Sequence, residues 1–210
     1  MERRNMNQEQ EQFYNSLRDS GKFSKAQLDI IHFGFENGLS SDQIKMYADP
    51  KYEWPKMKEI LNGFEFGLTT SQVRMYANKE YSVLQMDKIL WGFINGLSTD
   101  QVALCADPKF DYMQMYEILN GFEFGLTTNQ VRMYADPKYD LQQMFVICIA
   151  FYDGLSKDQV RTFADPKYTW HQMDSMRMKL GEQNAHKSKV QPERTSVRVK
   201  PPVQRTGKSR

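Results

Sequence analysis

The feature that most constrains this chain is a period. A Gly-Leu pair recurs at Gly38, Gly67, Gly96, Gly125 and Gly154, always 29 residues apart and never with an insertion. Phe35, Phe64, Phe93, Phe122 and Phe151 keep the same step, as do Ala48, Ala77, Ala106, Ala135 and Ala164. Five full units run 24–52, 53–81, 82–110, 111–139 and 140–168, and a partial sixth spans 169–181. Units two and four are near copies, "EILNGFEFGLTTSQVRMYA" and "EILNGFEFGLTTNQVRMYA", while units one, three and five keep "NGLS" or "DGLS". A fixed period of this length marks a stack of supersecondary units, none of which can bury its apolar face alone.

Within a unit the apolar spacing is helical. Met115, Ile118, Leu119 and Phe122 fall at i, i+3, i+4, i+7, one stripe of an α-helix. Gly125 stands where a helix ends in the left-handed conformation, with Leu126 as the apolar residue that follows such a cap. Val131, Tyr134 and Ala135 form a second, shorter stripe, ended by Asp136-Pro137 because proline disfavours helix in the residue before it. Each unit is therefore expected to be a helix A of about 13 residues and a helix B of about 8, joined by a tight turn. Gln43, Gln72, Gln101, Gln130 and Gln159 follow a Ser or Thr by three residues, the spacing of a capping box. Gln27, Gln85, Gln114, Gln143 and Gln172 follow Ser24, Ser82, Asp111, Asp140 and Thr169 at the same spacing at the start of helix A, and unit two breaks the pattern with Glu53 and Lys56. The expected fold is all-α, an α-solenoid of five to six 29-residue helix-turn-helix repeats. Residues 1–23 supply an N-terminal capping helix over 7–18, residues 24–181 the solenoid, and residues 182–210 a basic disordered tail.

The recurring "MYADPKY" (46–52 and 133–139, with "LCADPKF", "TFADPKY" and a degraded "MYANKEY" elsewhere) is then punctuation rather than chemistry. Asp followed by Pro is a preferred start of a type I turn. In "MYANKEY" the turn-favouring Asn78 and closing Tyr81 survive while Pro and Lys are lost together, which a catalytic lysine would not do.

The net charge of +2 hides an asymmetry. Residues 182–210 carry eight basic residues against Glu182 and Glu193, a net of +6 that leaves the rest of the chain at −4. Cys105 and Cys148 share no disulfide or zinc spacing, and the longest apolar run is far too short to span a bilayer. The polar start "MERRNMNQEQEQ" does not read as a signal peptide, so a soluble cytoplasmic protein with reduced thiols is expected. His32, His171 and His186 have no matching Cys or Asp constellation, and no phosphate loop or HExxH is present. The chain therefore reads as a non-enzymatic one, with no catalytic residue, metal or cofactor.

Repeated positions build scaffold, so function is sought where units differ. One variable series on helix A is Phe33, Asn62, Trp91, Asn120, Ile149 and Met178, and another is Asn37, Phe66, Asn95, Phe124 and Asp153. Phe66, Trp91, Tyr116, Phe124, Phe145 and Tyr152 stand outside the core stripe as candidate protein-binding residues, since aromatics anchor interfaces at low entropic cost. The alternative is that they interlock between neighbouring units. Lys45, Arg74, Arg132 and Arg161 form a cationic ladder on helix B, able to track phosphates if unpaired. The tail adds Lys187, Lys189, Arg194, Arg198, Lys200, Arg205, Lys208 and Arg210, a basic arm suited to DNA, RNA or an acidic protein.

Units such as "DYMQMYEILNGFEFGLTTNQVRMYADPKY" resemble short helical repeats found in tandem in proteins of bacterial mobile elements and phages of Gram-positive gut bacteria. The resemblance covers residues 24 to about 180 through the pattern "QM..I..GF..GL...QV..YADP..". It implies a protein that works by binding, as an adaptor in element maintenance or transfer, or as an inhibitor of a host defence nuclease. Cys105, in the slot of Tyr47, Tyr76 and Tyr134, and the missing proline of unit two depart from the pattern.

Overall fold

The structure is a computed structural model, which describes residues 5–190. It is an α-solenoid of repeats: twelve helices and no strand among the described residues, stacked consecutively. Helix α1 (Gln8–Asp19) packs on α2 (Lys25–Glu36), the first helix A. The other A helices, α4 (Trp54–Glu65), α6 (Val83–Ile94), α8 (Tyr112–Glu123) and α10 (Leu141–Tyr152), each pack against the one before, and α12 (Trp170–Val190) closes the row. The B helices α3 (Ser41–Lys45), α5 (Thr70–Arg74), α7 (Thr99–Val102), α9 (Thr128–Val131) and α11 (Lys157–Arg161) each pack on their own helix A.

Helix A is 12 residues long, close to expectation, but helix B has only four or five α-helical residues instead of eight. Its last turn tightens into i→i+3 bonds, as in Tyr47 N–H to the Ile44 carbonyl, before the chain leaves at Asp49. The turn is then locked twice. The Asp side chain accepts from the backbone N–H two residues on (Lys51, Lys109, Lys138 and Lys167, with Asn78 serving Glu80), an Asx turn. The closing aromatic N–H returns to the Asp or Asn carbonyl, as Tyr139 to Asp136 at 3.0 Å. The lysine of "ADPKY" contributes its backbone to this device.

The Gly-Leu pairs end helix A as expected. Gly38 through Gly154 hold φ between 78° and 85°, and Leu39 N–H reaches the Gly34 carbonyl, the long bond of a Schellman cap. The register puts the sixth such glycine at position 183, which is Gln183. With no cap there, and Gly181 out of register and not left-handed, α12 runs on to Val190. The first part of the segment assigned to the disordered tail is thus helical. The rest, 191–210, lies outside the described residues.

Two sets of contacts tie unit to unit. The helix-A glutamines cap their own helices as expected, and their amides also donate across 23 to 25 residues to the turn that closes their unit and leads into the next. Gln143 Nε2 donates to the Pro166 and Tyr168 carbonyls at 3.1 and 2.6 Å, and Gln27 and Gln85 repeat the pair. In unit two Lys56 substitutes, donating to the Lys79 carbonyl at 2.7 Å. Tyr52 and Tyr139 close each turn and donate their hydroxyls to Ala77 and Ala164 of the following unit.

Inside a unit, Tyr47, Tyr76 and Tyr134 are fully buried, each with its hydroxyl in the space a Cβ would need on Gly34, Gly63 or Gly121. Unit five has Ala150 in that glycine position, opposite Phe163, which lacks the hydroxyl. Cys105, the departure in unit three, is buried at Tyr depth while Gly92 keeps its glycine, and Leu119 of the next unit fills the space.

The stack stops at both sides of the described region. At the positions where earlier units are covered by a successor, α12 carries Gln172, Ser175 and Lys179, all exposed. Helix α1 buries no residue fully and turns Glu9, Glu11, Gln12 and Asp19 outward.

Candidate functional site

Stacked A helices share one outer face, and its chemistry changes along the row. In units one and two it is largely charged: Lys25, Asp29, Lys58 and Glu65, with Phe33 under the Lys58 ammonium and Trp54 exposed. From α6 onward it turns apolar. Leu84 and Ile94 on α6, Tyr112, Met113 and Tyr116 on α8, Phe145 and Tyr152 on α10, and Trp170 and Met178 on α12 are all exposed large apolar side chains. Phe124, at the end of α8, joins them. With exposures of 37–65%, and about 150–250 Å² carried by each aromatic, the patch amounts to roughly 800 Å². Monomeric proteins seldom show contiguous apolar patches of more than a few hundred Å².

Four of the six aromatics singled out in the sequence pair off across unit boundaries. Trp91 meets Tyr116 with ring centroids 5.8 Å apart, and Phe124 meets Tyr152 at 5.3 Å. Trp91 is half-buried and packs on the core, so for it the interlocking alternative holds. Tyr152 interlocks and still stands 65% exposed. Phe145 lines a groove between α10 and α12 of about 330 Å³, together with Val146, Ile149, Trp170 and Arg177. Phe66 lies one step before the patch, exposed at the C-cap of α4. Composition alone does not show Trp170, Met113, Leu84 and Ile94 as members of one face; only the unit register aligns them.

Most of the charges on this face are paired with one another. Lys88 pairs with Asp87 at 3.0 Å, and Arg177 with Asp153 at 2.6 Å and Asp174 at 2.7 Å. On the helix-B side the cationic ladder is compensated at both ends, Lys45 by Asp42 and Arg161 by Asp158. Arg74 and Arg132 make no ion pair among the described residues. Lys187 and Lys189 fall on the backbone of α12. Arg194, Arg198, Lys200, Arg205, Lys208 and Arg210 lie outside the described residues.

Titratable chemistry is sparse in the interior. Burial pushes the Cys105 and Cys148 thiols up to about 12, so both stay protonated and unreactive at neutral pH. Beside Cys148 lies Glu117, 5% exposed, with one carboxylate oxygen lacking any hydrogen-bond partner. Desolvation raises its pKa above the ordinary carboxylate value, and the Cys148 thiol and Asn120 amide only partly oppose this. A carboxyl whose folded-state pKa is raised favours the fold while protonated, and that stability is lost as pH rises through the folded value. Glu117→Gln should therefore raise the melting temperature at pH 7 and leave it unchanged near pH 3.5. Thermal unfolding of both chains across pH 3.5–8 checks it, and a variant less stable at pH 7 would contradict the sign.

Compared with known proteins, the chain matches no family model, no curated protein and no solved structure.

Proposed function

We propose that this is a non-enzymatic binding protein whose apolar outer face, from α6 to α12, recognises a protein. The observation that carries the reading is the aromatic and Met-rich character of that face. Its large apolar side chains remain exposed although the same helices bury complete stripes on their other side. Aromatics and methionine are enriched at interface cores while unpaired charges are depleted there, and Lys88, Asp87, Arg177, Asp153 and Asp174 on this face are paired with one another. The resemblance of the units supports a mobile-element or phage setting and a cytoplasmic place of work, with the protein acting as adaptor or inhibitor.

The test is capture from a host lysate by immobilised protein, with Tyr116→Ser, Phe145→Ser and Tyr152→Ser as comparisons. Each variant should remain folded by circular dichroism, at a cost of about 1–2 kcal/mol where an interlocking aromatic is lost, and should reduce capture at least tenfold. Capture unchanged in all three would remove the face from consideration.

Contact with nucleic acid through the tail is the second reading, motivated by the net +6 of residues 182–210. It requires DNA or RNA binding that weakens steeply with salt and disappears when 186–210 are deleted. The pairing of Lys45 and Arg161 within their own helices disfavours the helix-B ladder as a phosphate track.

A further inference from the structure

We propose that the occupant of this face is a second copy of the chain, docked about a two-fold axis with the α10 helices crossing antiparallel. The proposal rests on the reading of the α6–α12 face as a recognition surface and names its partner.

Three observations point to it. First, the patch of roughly 800 Å² equals what one partner contributes to an interface of standard size. Second, the basic groups on the face, Lys88 and Arg177, are paired with its own Asp87, Asp153 and Asp174, so most of its charge is balanced before a second copy arrives. The polar outward sides of α1 and α12 offer no comparable apolar surface for end-to-end stacking.

Third, the face is self-complementary. A two-fold interface requires that whatever protrudes on one copy finds its recess on the same patch of the other. Tyr152, 65% exposed, is the protruding ring at the C-terminal end of α10. The groove, with Phe145, Val146, Ile149 and Trp170 as its apolar walls and Gln142 and the paired Asp174 and Arg177 beside them, begins on the N-terminal half of the same helix. Its volume of about 330 Å³ admits an aromatic ring. Phe145 and Tyr152 are separated by roughly 10 Å along the axis at 1.5 Å per residue. Antiparallel crossing near Ile149 sets each Tyr152 over the opposite groove, twice by symmetry.

The experiment is sedimentation equilibrium of the full chain between about 1 and 100 µM, a range that brackets micromolar affinity. The expected result is a reversible mass of twice 24.7 kDa, with Tyr152→Lys and Phe145→Glu each weakening association at least 100-fold. Because Tyr152 faces Phe145 across the axis, an equimolar mixture of the two variants should recover the dimer that neither forms alone, to within about tenfold of the parent. In that mixture one contact is native and the other joins opposite charges. Circular dichroism establishes that both variants are folded. A parent chain monomeric at 100 µM overturns self-association while leaving lysate capture through the face intact. A dimer that persists in both variants with capture unaffected overturns the reading of the face itself. Failure of the mixture to associate overturns the antiparallel α10 arrangement.

Discussion

Gly63→Ala should destabilise the protein by about 2 kcal/mol, and adding Tyr76→Phe should return it to within about 0.5 kcal/mol of the parent. In ordinary helices the first change is favourable by up to about 1 kcal/mol, because glycine loses more backbone freedom than alanine. Here the new methyl falls on the Tyr76 hydroxyl, well inside non-bonded contact. The ring is fully buried and cannot swing away. Overpacking of this kind costs about 1–3 kcal/mol, and it outweighs the propensity gain. Tyr76→Phe alone forfeits a 3.2 Å hydrogen bond to the Glu59 carbonyl, at about 1 kcal/mol. In the double variant the methyl fills the space vacated by the hydroxyl, and the helix gain offsets the lost bond. The pair is already realised once in the chain, as Ala150 opposite Phe163. Denaturant unfolding of the four chains measures the coupling, expected at about 2–3 kcal/mol. Simple additivity of the two single changes would refute the hydroxyl-for-methyl account.

The second large effect separates two glutamines that look alike in the sequence. Gln143→Ala should cost about 3 kcal/mol and Gln130→Ala less than about 1 kcal/mol. Both stand three residues after their N-cap and accept its backbone N–H at 2.8 Å. Gln130 is half-exposed, so water replaces what the side chain supplied. Gln143 is 5% exposed and also holds the Pro166 and Tyr168 carbonyls. Its removal strands two carbonyls of the part-buried turn that closes the unit, at about 1–3 kcal/mol each. In a solenoid, whose stability is a sum of unit and neighbour terms, loosening the turn that hands the chain to the next unit weakens both. Chemical unfolding of the two variants decides the matter, and equal losses would show that capping alone is at work.

The period, the helix pair in each unit, the glycine caps and the capping boxes were legible because each is a local device. An N-cap hydroxyl, a left-handed glycine and an Asx turn are satisfied within three or four residues, so their residue types and spacing are specific. The length of helix B was overestimated, since the tightening of its last turn into i→i+3 bonds leaves no mark in the apolar stripe. The continuation of α12 was legible in principle, because the register placed no glycine at 183. Lysine- and arginine-rich composition was read there as tail instead.

The aromatic surface divides in the same way. That Tyr116, Phe124, Phe145 and Tyr152 lie outside the core stripe follows from helical periodicity in the sequence. Whether each is spent between units or left exposed depends on side chains 25 to 28 residues away, as Trp91 on Tyr116 and Phe124 on Tyr152 demonstrate. The sequence by itself determined the repeat, its local caps and turns, and which residues are scaffold. Tertiary structure alone decided that the more charged outer face of units one and two gives way to a predominantly apolar one from α6 to α12. The physical reason is that a solenoid face is assembled from single positions taken once per turn of the stack, and its chemistry exists only once those positions are brought side by side.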